Sequence, residues 1–386
     1  MLTYKTAGES HGKGIAAFVD GFPAGVPLDS NFIDGELARR QGGYGRGGRQ
    51  KIETDSVEIL TGILHGASMG APILLWVKNR DYKLESTPDL TRPRPGHGDL
   101  TGSVKYGCAI RPILERSSAR ETAGRVAAGA LARLLLREIG VEVVGYVSQI
   151  GNVDMTPASD VLNQSPQTLL SVRNSSSVYS LRKDADPTAE QAIDEAIAVG
   201  DTLGGIIEAR VFGVPFGLGT HAQWSSKLDG KIAQATSAIQ AIKGVEIGDG
   251  FALASQPGSL AHDEILWNES QRVSRSLGFV RPTNHAGGLE AGMTNSQPIV
   301  VRAAMKPIPT LRKPLRSVDL DSKESVEASF ERSDACAVSA ASVVLENVVA
   351  FEIAAAVVEK FGGDSLDEIK ERLELFEKSA AKRLGA

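Results

Sequence analysis

The stretch 335–358 constrains this chain more than any other. It is long and apolar, with Ala, Ser and Val dominant, and only Glu346, Asn347 and Glu352 interrupt it with strongly polar groups. A helix that is apolar on every face must be covered on every face. Its length alone would allow a membrane span. Two glutamates and an asparagine inside it argue instead for a buried core helix, so no membrane partner is expected. The rest of the fold then has to be layered around this element.

Flanking segments supply the layers. Apolar runs at 14–19, 57–64, 72–77, 141–147, 205–211 and 298–304 read as strands. Helical patterns cover 30–41, 118–139, 188–199, 226–242, 335–360 and 364–384. Ser118 with Glu121, and Thr188 with Gln191, have capping-box spacing. Gly42 and Gly140 are natural stops. The segment V-D-G-F-P-A-G at 19–25 is echoed by V-F-G-V-P-F-G at 211–217. Each follows a strand and precedes a helix start, I-D-G-E-L-A at 33–38 and L-D-G-K-I-A at 228–233. The copies lie about half a chain apart. They predict one α+β domain, 1–386, built of two pseudo-symmetric halves of about 1–195 and 196–386.

Composition is that of an ordinary globular protein: 386 residues, 42% hydrophobic, 23% charged, net charge -5. That excludes global disorder. Two cysteines make no disulfide framework and suit a reducing compartment. The start, MLTYKTAGESHG, lacks the pattern of a signal peptide, so a cytoplasmic location is expected. No Cys/His spacing suggests a metal, and there is no P-loop or Rossmann fingerprint.

Positive charge is clumped in this mildly acidic chain. Arg39, Arg40, Arg46, Arg49 and Lys51 run with no acid between Glu36 and Glu53, and a second, partly balanced group spans Arg92 to Arg125. Such clumping points to a local anionic ligand. R-R-Q-G-G-Y-G-R-G-G-R at 39–49 sets forked guanidiniums on a glycine-rich loop, a design for phosphate or carboxylate. RNA is the rival ligand, since Arg-Gly segments bind it. The short segment, 5% aromatic content and acidic total weigh against nucleic acid.

Two loops carry histidine. G-E-S-H-G at 8–12 folds tightly around His11, a candidate proton donor near neutral pH. R-P-R-P-G-H-G-D at 92–99 is stiff at its prolines and presents His97 beside arginines and near Asp99. Cations would lower that imidazole's pKa and the carboxylate would raise it, so the sign stays open. R-S-S-A-R-E-T at 116–122 opens a helix with hydroxyls and two arginines, a further anion site. The small residues Ala123, Gly124, Ala127, Ala128 and Gly129 imply that another backbone or a flat ligand packs close. Asp334 stands where a helix begins and suits an N-cap or a base. His65, His221, His262 and His285 have no evident partner groups and read as structural.

Together these segments resemble chorismate synthases. The resemblance runs in order through GESHG at 8–12, RRQGGYGRGGR at 39–49, RPRPGHGD at 92–99 and ERSSARETA at 115–123. It continues through IQAIKGVEIG at 239–248, GGLEAGMTN at 287–295, MKPIPT at 305–310 and RSDACAV at 332–338. It implies a β-α-β sandwich with central helices and mainly antiparallel sheets, and a homotetramer. It also implies a lyase that makes chorismate and phosphate from 5-enolpyruvylshikimate 3-phosphate by 1,4-anti elimination, with reduced FMN. Arg116, Ser117, Ser118, Gln240, Ala241, Ala291, Lys306, Pro307, Ile308, Pro309, Thr310 and Arg332 would hold FMN. Arg40, Arg46 and Arg49, assisted by Arg120, would hold the substrate, or NADPH where the enzyme reduces its own flavin. A separate flavin reductase is the alternative source of electrons. His11 would protonate the leaving phosphate, His97 would control protonation of the reduced flavin, and the ring hydrogen would pass to flavin N5 with Asp334 as the linked base.

The chain departs from the pattern around Cys108, where an aspartate is expected and one residue is missing, and at Ala291 and Ser296, which replace glycines. The first departure bears on local FMN or tetramer contacts, and Ala291 is expected to crowd the flavin. Two rival activities fit parts of the sequence: a polyanion binder using 39–49, and a reductase that only passes electrons from NADPH to FMN.

Overall fold

A computed structural model describes residues 1–47, 54–331 and 334–385. The first sheet holds β1 (Thr3–Gly8), β2 (Gly14–Asp20), β3 (Val57–Ile59) and β4 (Ile73–Lys78), in the order β1-β2-β4-β3, antiparallel throughout. Between β2 and β3 runs α1 (Ser30–Gln41), and after β4 come α2 (Asp99–Tyr106), α3 (Ile110–Ser117) and α4 (Thr122–Glu138). Asp29 caps α1 by accepting from the N–H groups of Asn31 and Phe32.

The second sheet holds β5 (Glu142–Ile150), β6 (Gly205–Phe212), β7 (Ile242–Ile247) and β8 (Ile299–Met305), again antiparallel, in the order β5-β6-β8-β7. The short strand Val153–Asp154 extends the β5 edge. Helix α5 (Leu228–Ser237) lies between β6 and β7, and α6 (Val338–Phe361) follows β8. A last helix, α7 (Leu366–Leu384), is capped by Ser365. The two sheets share one strand order, and β1-β2-α1-β3-β4-α4 matches β5-β6-α5-β7-β8-α6. All of it is antiparallel, as expected for an α+β sandwich.

The helices are the filling of the sandwich. Helix α4 packs on β2, β4 and α1, and α6 packs on β5, β6 and α5, while α4 and α6 make the most extensive helix contact with each other. Most of α6 is buried, which explains why its sequence is apolar on all faces. A Cβ on Gly129 would stand 2.2 Å from the Asn347 carbonyl oxygen, so glycine allows α4 and α6 to touch backbone to backbone. The small residues of α4 thus meet protein at this crossing.

Charges are also buried between the helices. Arg39, Arg133 and Arg173 reach Glu346 at 2.8, 3.1 and 2.9 Å, and Arg39 and Arg133 reach Glu36 at 2.6 and 2.8 Å. Burial works against ionisation of Glu36, but Arg133 and Arg39 outweigh it and hold its pKa down at about 2. Arg39 thereby points into the core, and its neighbour Arg40 is left to face the other way, toward a cavity.

Several expected boundaries move. The run 57–64 splits into β3 and the two-residue strand Ile63–Leu64. The helix expected over 226–242 stops at Ser237, because Ile242 onward pairs with β8. The helix expected from Thr188 begins at Asp186 with Pro187 in its first turn, so Thr188 lies within it and is not its cap. Asp334 is not the N-cap of α6, whose first residue is Val338.

Candidate active site

The tip of the β1–β2 hairpin carries Ser10, His11 and Gly12. Fully buried Asn79, just past β4, donates from Nδ2 to the carbonyls of Glu9, Ser10 and Gly12 at 3.1, 3.2 and 2.8 Å. Glu115 on α3 accepts the main-chain N–H of His11 at 2.7 Å and lies 2.9 Å from its Nδ1. Burial opposes ionisation of Glu115, yet the bonds from His11 hold its carboxyl below the ordinary range.

His97 sits on the loop before α2, with Nδ1 2.5 Å from Asp99. Arg94 grips Asp99 through Nε and Nη2 at 2.8 and 3.0 Å, and Nη2 also lies 3.1 Å from His97 Nδ1. Both influences that the sequence left opposed are therefore present at once. Burial resists ionisation of Asp99, but the bonds from His97 and Arg94 prevail and hold its carboxyl far below the usual range. The loop is anchored by Lys306 to the Gly96 carbonyl and by Arg94 Nη1 to Thr310 Oγ1.

The arginine clusters also converge. Asp55 bridges Arg40 at 2.7 Å and Arg120 at 2.7 and 2.8 Å. Arg120 Nε donates to Asn79 Oδ1 at 2.7 Å, linking this group to the His11 loop. Burial disfavours the Asp55 charge, but Arg40 and Arg120 hold its pKa below the ordinary value. Arg46 pairs with Asp334 at 3.0 Å, and the Gly47 N–H donates to Asp334 at 2.6 Å. Gly45 has φ 83° and would place a Cβ 3.1 Å from Cys336 Cβ, so glycine is what lets this loop close onto the segment before α6.

Both histidines and the arginines Arg40, Arg46, Arg94 and Arg120 line one cavity of about 500 Å³, within the roughly 300–1,000 Å³ typical of small-molecule sites, while Glu115, Asp99, Asp55 and Asn79 stand behind its lining. It brings together His11, His97, Asp334, Arg40, Arg46, Arg120, Ser117, Ser118, Gln240, Ala241, Lys306, Ile308, Pro309 and Thr310. One wall is apolar: Leu114, Ile239, Met305, and Ala340, Ala341 and Val344 from α6. Four buried guanidinium nitrogens in its lining residues make no hydrogen bond among the described residues: Arg40 Nε, Arg46 Nε, Arg111 Nη1 and Arg120 Nη2. Ser117 Oγ and Gln240 Oε1 are in the same condition.

Three expected residues stand apart from the cavity lining: Arg116, Pro307 and Ala291. Arg116 donates to the carbonyls of Gly8 and Thr6 at 3.0 and 2.9 Å, fastening α3 to β1. Ala291, with φ 49°, and Ser296, with φ 68°, adopt the left-handed backbone that favours glycine. Both lie in or beside the small hairpin Leu289–Glu290/Met293–Thr294. Arg49 and Arg332 lie outside the described residues. Ser118 does not form the expected capping box with Glu121. It caps the short 3-10 turn Ala119–Glu121, while Glu121 bonds Thr6, Arg125 and Gln240.

Sequence reasoning missed the roles of Glu115, Asp55 and Asn79. Glu115 is 104 residues from His11, and no local spacing relates them. Asp99 was visible two residues from His97, and Arg111 and Lys83 also line the cavity.

A pocket with imidazoles backed by carboxylates and lined by several arginines suits acid–base chemistry on a small anionic molecule. The model of the family described as chorismate synthase matches residues 2–358. A relative named chorismate synthase from Desulforamulus reducens is 53% identical, with 97% of each chain covered. One of that name from Bacillus cytotoxicus is 51% identical over 97% of this chain and 98% of its own. A solved structure titled "Crystal Structure of Chorismate Synthase" superposes with TM-score 0.80 at 39% identity, covering 99% of this chain and 98% of that one. The chain belongs to the chorismate synthase family.

Proposed function

We propose that this enzyme converts 5-enolpyruvylshikimate 3-phosphate into chorismate and inorganic phosphate by 1,4-anti elimination, the last step of the shikimate pathway, with reduced FMN in the same cavity. The observation that carries the reading is the set of buried, unbonded guanidinium nitrogens beside the two carboxylate-backed histidines. Buried donors without partners are costly, on the order of 1–3 kcal/mol each, and an anionic ligand removes that cost. The substrate brings a phosphate and two carboxylates, which the arginines match in charge and geometry.

The cavity also fits a flavin. Ala340, Ala341, Val344 and Met305 offer apolar lining, and the buried Ser117 hydroxyl and Gln240 amide oxygen each lack a partner that a polar ring edge or phosphate can supply. Ser118, Ala241 and Lys306 to Thr310 complete this side, with Arg116, Arg332 and Ala291 proposed from the resemblance alone. When bound, reduced FMN supplies electron density that eases C–O cleavage.

The chain's own groups then divide the work. Arg40, Arg46 and Arg120, with Arg49, hold the substrate's anionic groups. His11, with Nδ1 occupied by Glu115, has Nε2 left to give a proton to the departing phosphate oxygen. His97, held by Asp99 and Arg94, manages the proton on the flavin side. Asp334, oriented by Arg46 and the Gly47 N–H, is the base in which the ring proton ends. The C–H electron pair enters the new double-bond system as the C–O pair leaves with phosphate. A cytoplasmic homotetramer is proposed from the resemblance alone. Electrons for the flavin come from NADPH or from a separate reductase.

One anaerobic assay tests this. Protein, photoreduced FMN and substrate are mixed, and phosphate release and the product's diene absorbance are followed. Both should rise in equal amounts. Folded protein that binds both ligands and releases no phosphate refutes the lyase. In a parallel mixture with NADPH and oxidised FMN in place of photoreduced FMN, NADPH oxidation without phosphate release would leave a flavin reductase.

A further inference from the structure

Glu115 does more than neighbour His11. One carboxylate oxygen accepts the His11 main-chain N–H at 2.7 Å and the other meets Nδ1 at 2.9 Å. Its own carbonyl accepts the Ser10 N–H at 3.0 Å. The side chain is almost wholly buried, so water does not compete for these bonds. Arg111, one turn earlier on α3, stands 3.8 Å from the same carboxylate and keeps it charged. An ionised carboxylate can only accept, so Nδ1 must carry a hydrogen in either state of the ring. Nε2 is then the nitrogen that changes its proton, and the second bond to the backbone stops the ring and its loop from turning.

We propose that Glu115 is a positioning residue for His11, fixing the imidazole tautomer and aiming Nε2 at the anion held by the arginines. This rests on the reading of the cavity as the phosphate-releasing site. In the step it supports, the imidazolium Nε2–H passes its proton to the phosphate oxygen as the C–O bond breaks. The ring keeps its Nδ1–H on Glu115, and the proton lost from the substrate ring goes to the opposite-side base, so the proton count balances. Glu115 is distinct from Asp99, which is gripped by Arg94 and serves His97.

The test uses protein labelled with ¹⁵N-histidine, full length, with Glu115→Gln and Glu115→Asp variants and His11→Asn to assign the signal. Wild type should show neutral His11 as the Nδ1–H form. Glu115→Gln, whose amide can donate as well as accept, should populate the Nε2–H form. Its turnover should fall on the order of 10²–10⁴-fold with KM changed less than about threefold, as for a misoriented proton donor. The limb of the pH–rate profile belonging to His11 should move to lower pH. Glu115→Asp keeps an acceptor and should recover part of both tautomer and rate. A Glu115→Gln protein with wild-type tautomer and pH profile overturns the proposal. If that variant does not fold, Glu115→Asp decides through the same ¹⁵N signals. Wild-type protein that shows the Nδ1–H form yet releases no phosphate counts against the lyase and leaves the tautomer claim intact.

Discussion

Replacing Asp55 with Asn should destabilise the free protein and make it depend on phosphate. Asp55 is the shared carboxylate between Arg40 and Arg120, with pairs at 2.7 Å to each and both arginines no more than 7% exposed. Removing one partner of a buried pair costs about 3–5 kcal/mol, because the remaining charges stay unpaired. At about 2.1 cal/mol/K per residue, 386 residues give an unfolding entropy near 0.8 kcal/mol/K, so the midpoint should fall by about 4–6 °C. Inorganic phosphate in the cavity that Arg40 and Arg120 line can supply the lost negative charge, and ligand at a hundredfold its Kd should restore about 2.7 kcal/mol. Thermal unfolding with and without phosphate reads both effects. The sign with pH follows from the depressed Asp55 pKa. Its contribution is complete above the ordinary carboxylate value and disappears as pH falls through the lower folded-state value. The Asn variant should therefore lose less on acidification than wild type. A variant within about 1 kcal/mol of wild type, or one that phosphate protects no better than wild type, would refute the reasoning.

The remaining predictions concern proton transfer, anion binding and burial. His11→Ala and His97→Ala should each lower kcat by on the order of 10²–10⁴-fold in protein that still folds, and two fully active variants in the phosphate-release assay would contradict the assignment. Arg46→Ala should weaken substrate more than FMN, measured by titrating each ligand, and the reverse order would place Arg46 wrongly. Burial pushes the Glu352 carboxyl up to about 7, against the pull of Lys231. A raised carboxylate contributes most below the ordinary value and loses stability as pH rises to about 7, so Glu352→Gln should be the more stable protein at pH 8, by on the order of 1–3 kcal/mol in urea unfolding. Equal stability at pH 8 would show that Glu352 is hydrated.

What the sequence made legible follows from what is local. Helix α1 matched its expected ends because Asp29 and Gly42 punctuate it, and α6 was visible because nothing but a core tolerates its composition. Strand β1 was missed because Thr3 to Gly8 is polar and only partly buried at one sheet edge, with no apolar run to read. Strand β7 was not expected, and only its first residue, Ile242, fell within the apparent helix; its identity comes from pairing with β8 and not from its own residues. In the site, His11, His97 and the arginines of 40–46 stood out as unusual residue groups. Their partners did not. Glu115, Asp55 and Asn79 acquire their roles only when α3, the loop before β3 and the end of β4 meet at the hairpin tip. Arg116 and Ala291 are the converse case: residues that fit a motif, yet lie off the lining of this cavity.

A crystal structure of the protein with FMN and 5-enolpyruvylshikimate 3-phosphate bound is the most direct measurement. The substrate phosphate should lie within hydrogen-bond distance of His11 Nε2 and of the now unbonded nitrogens of Arg40, Arg46 or Arg120, with the flavin against Ala340, Ala341 and Val344. Substrate bound elsewhere, or a phosphate held on the side of the ring away from His11, would contradict the account.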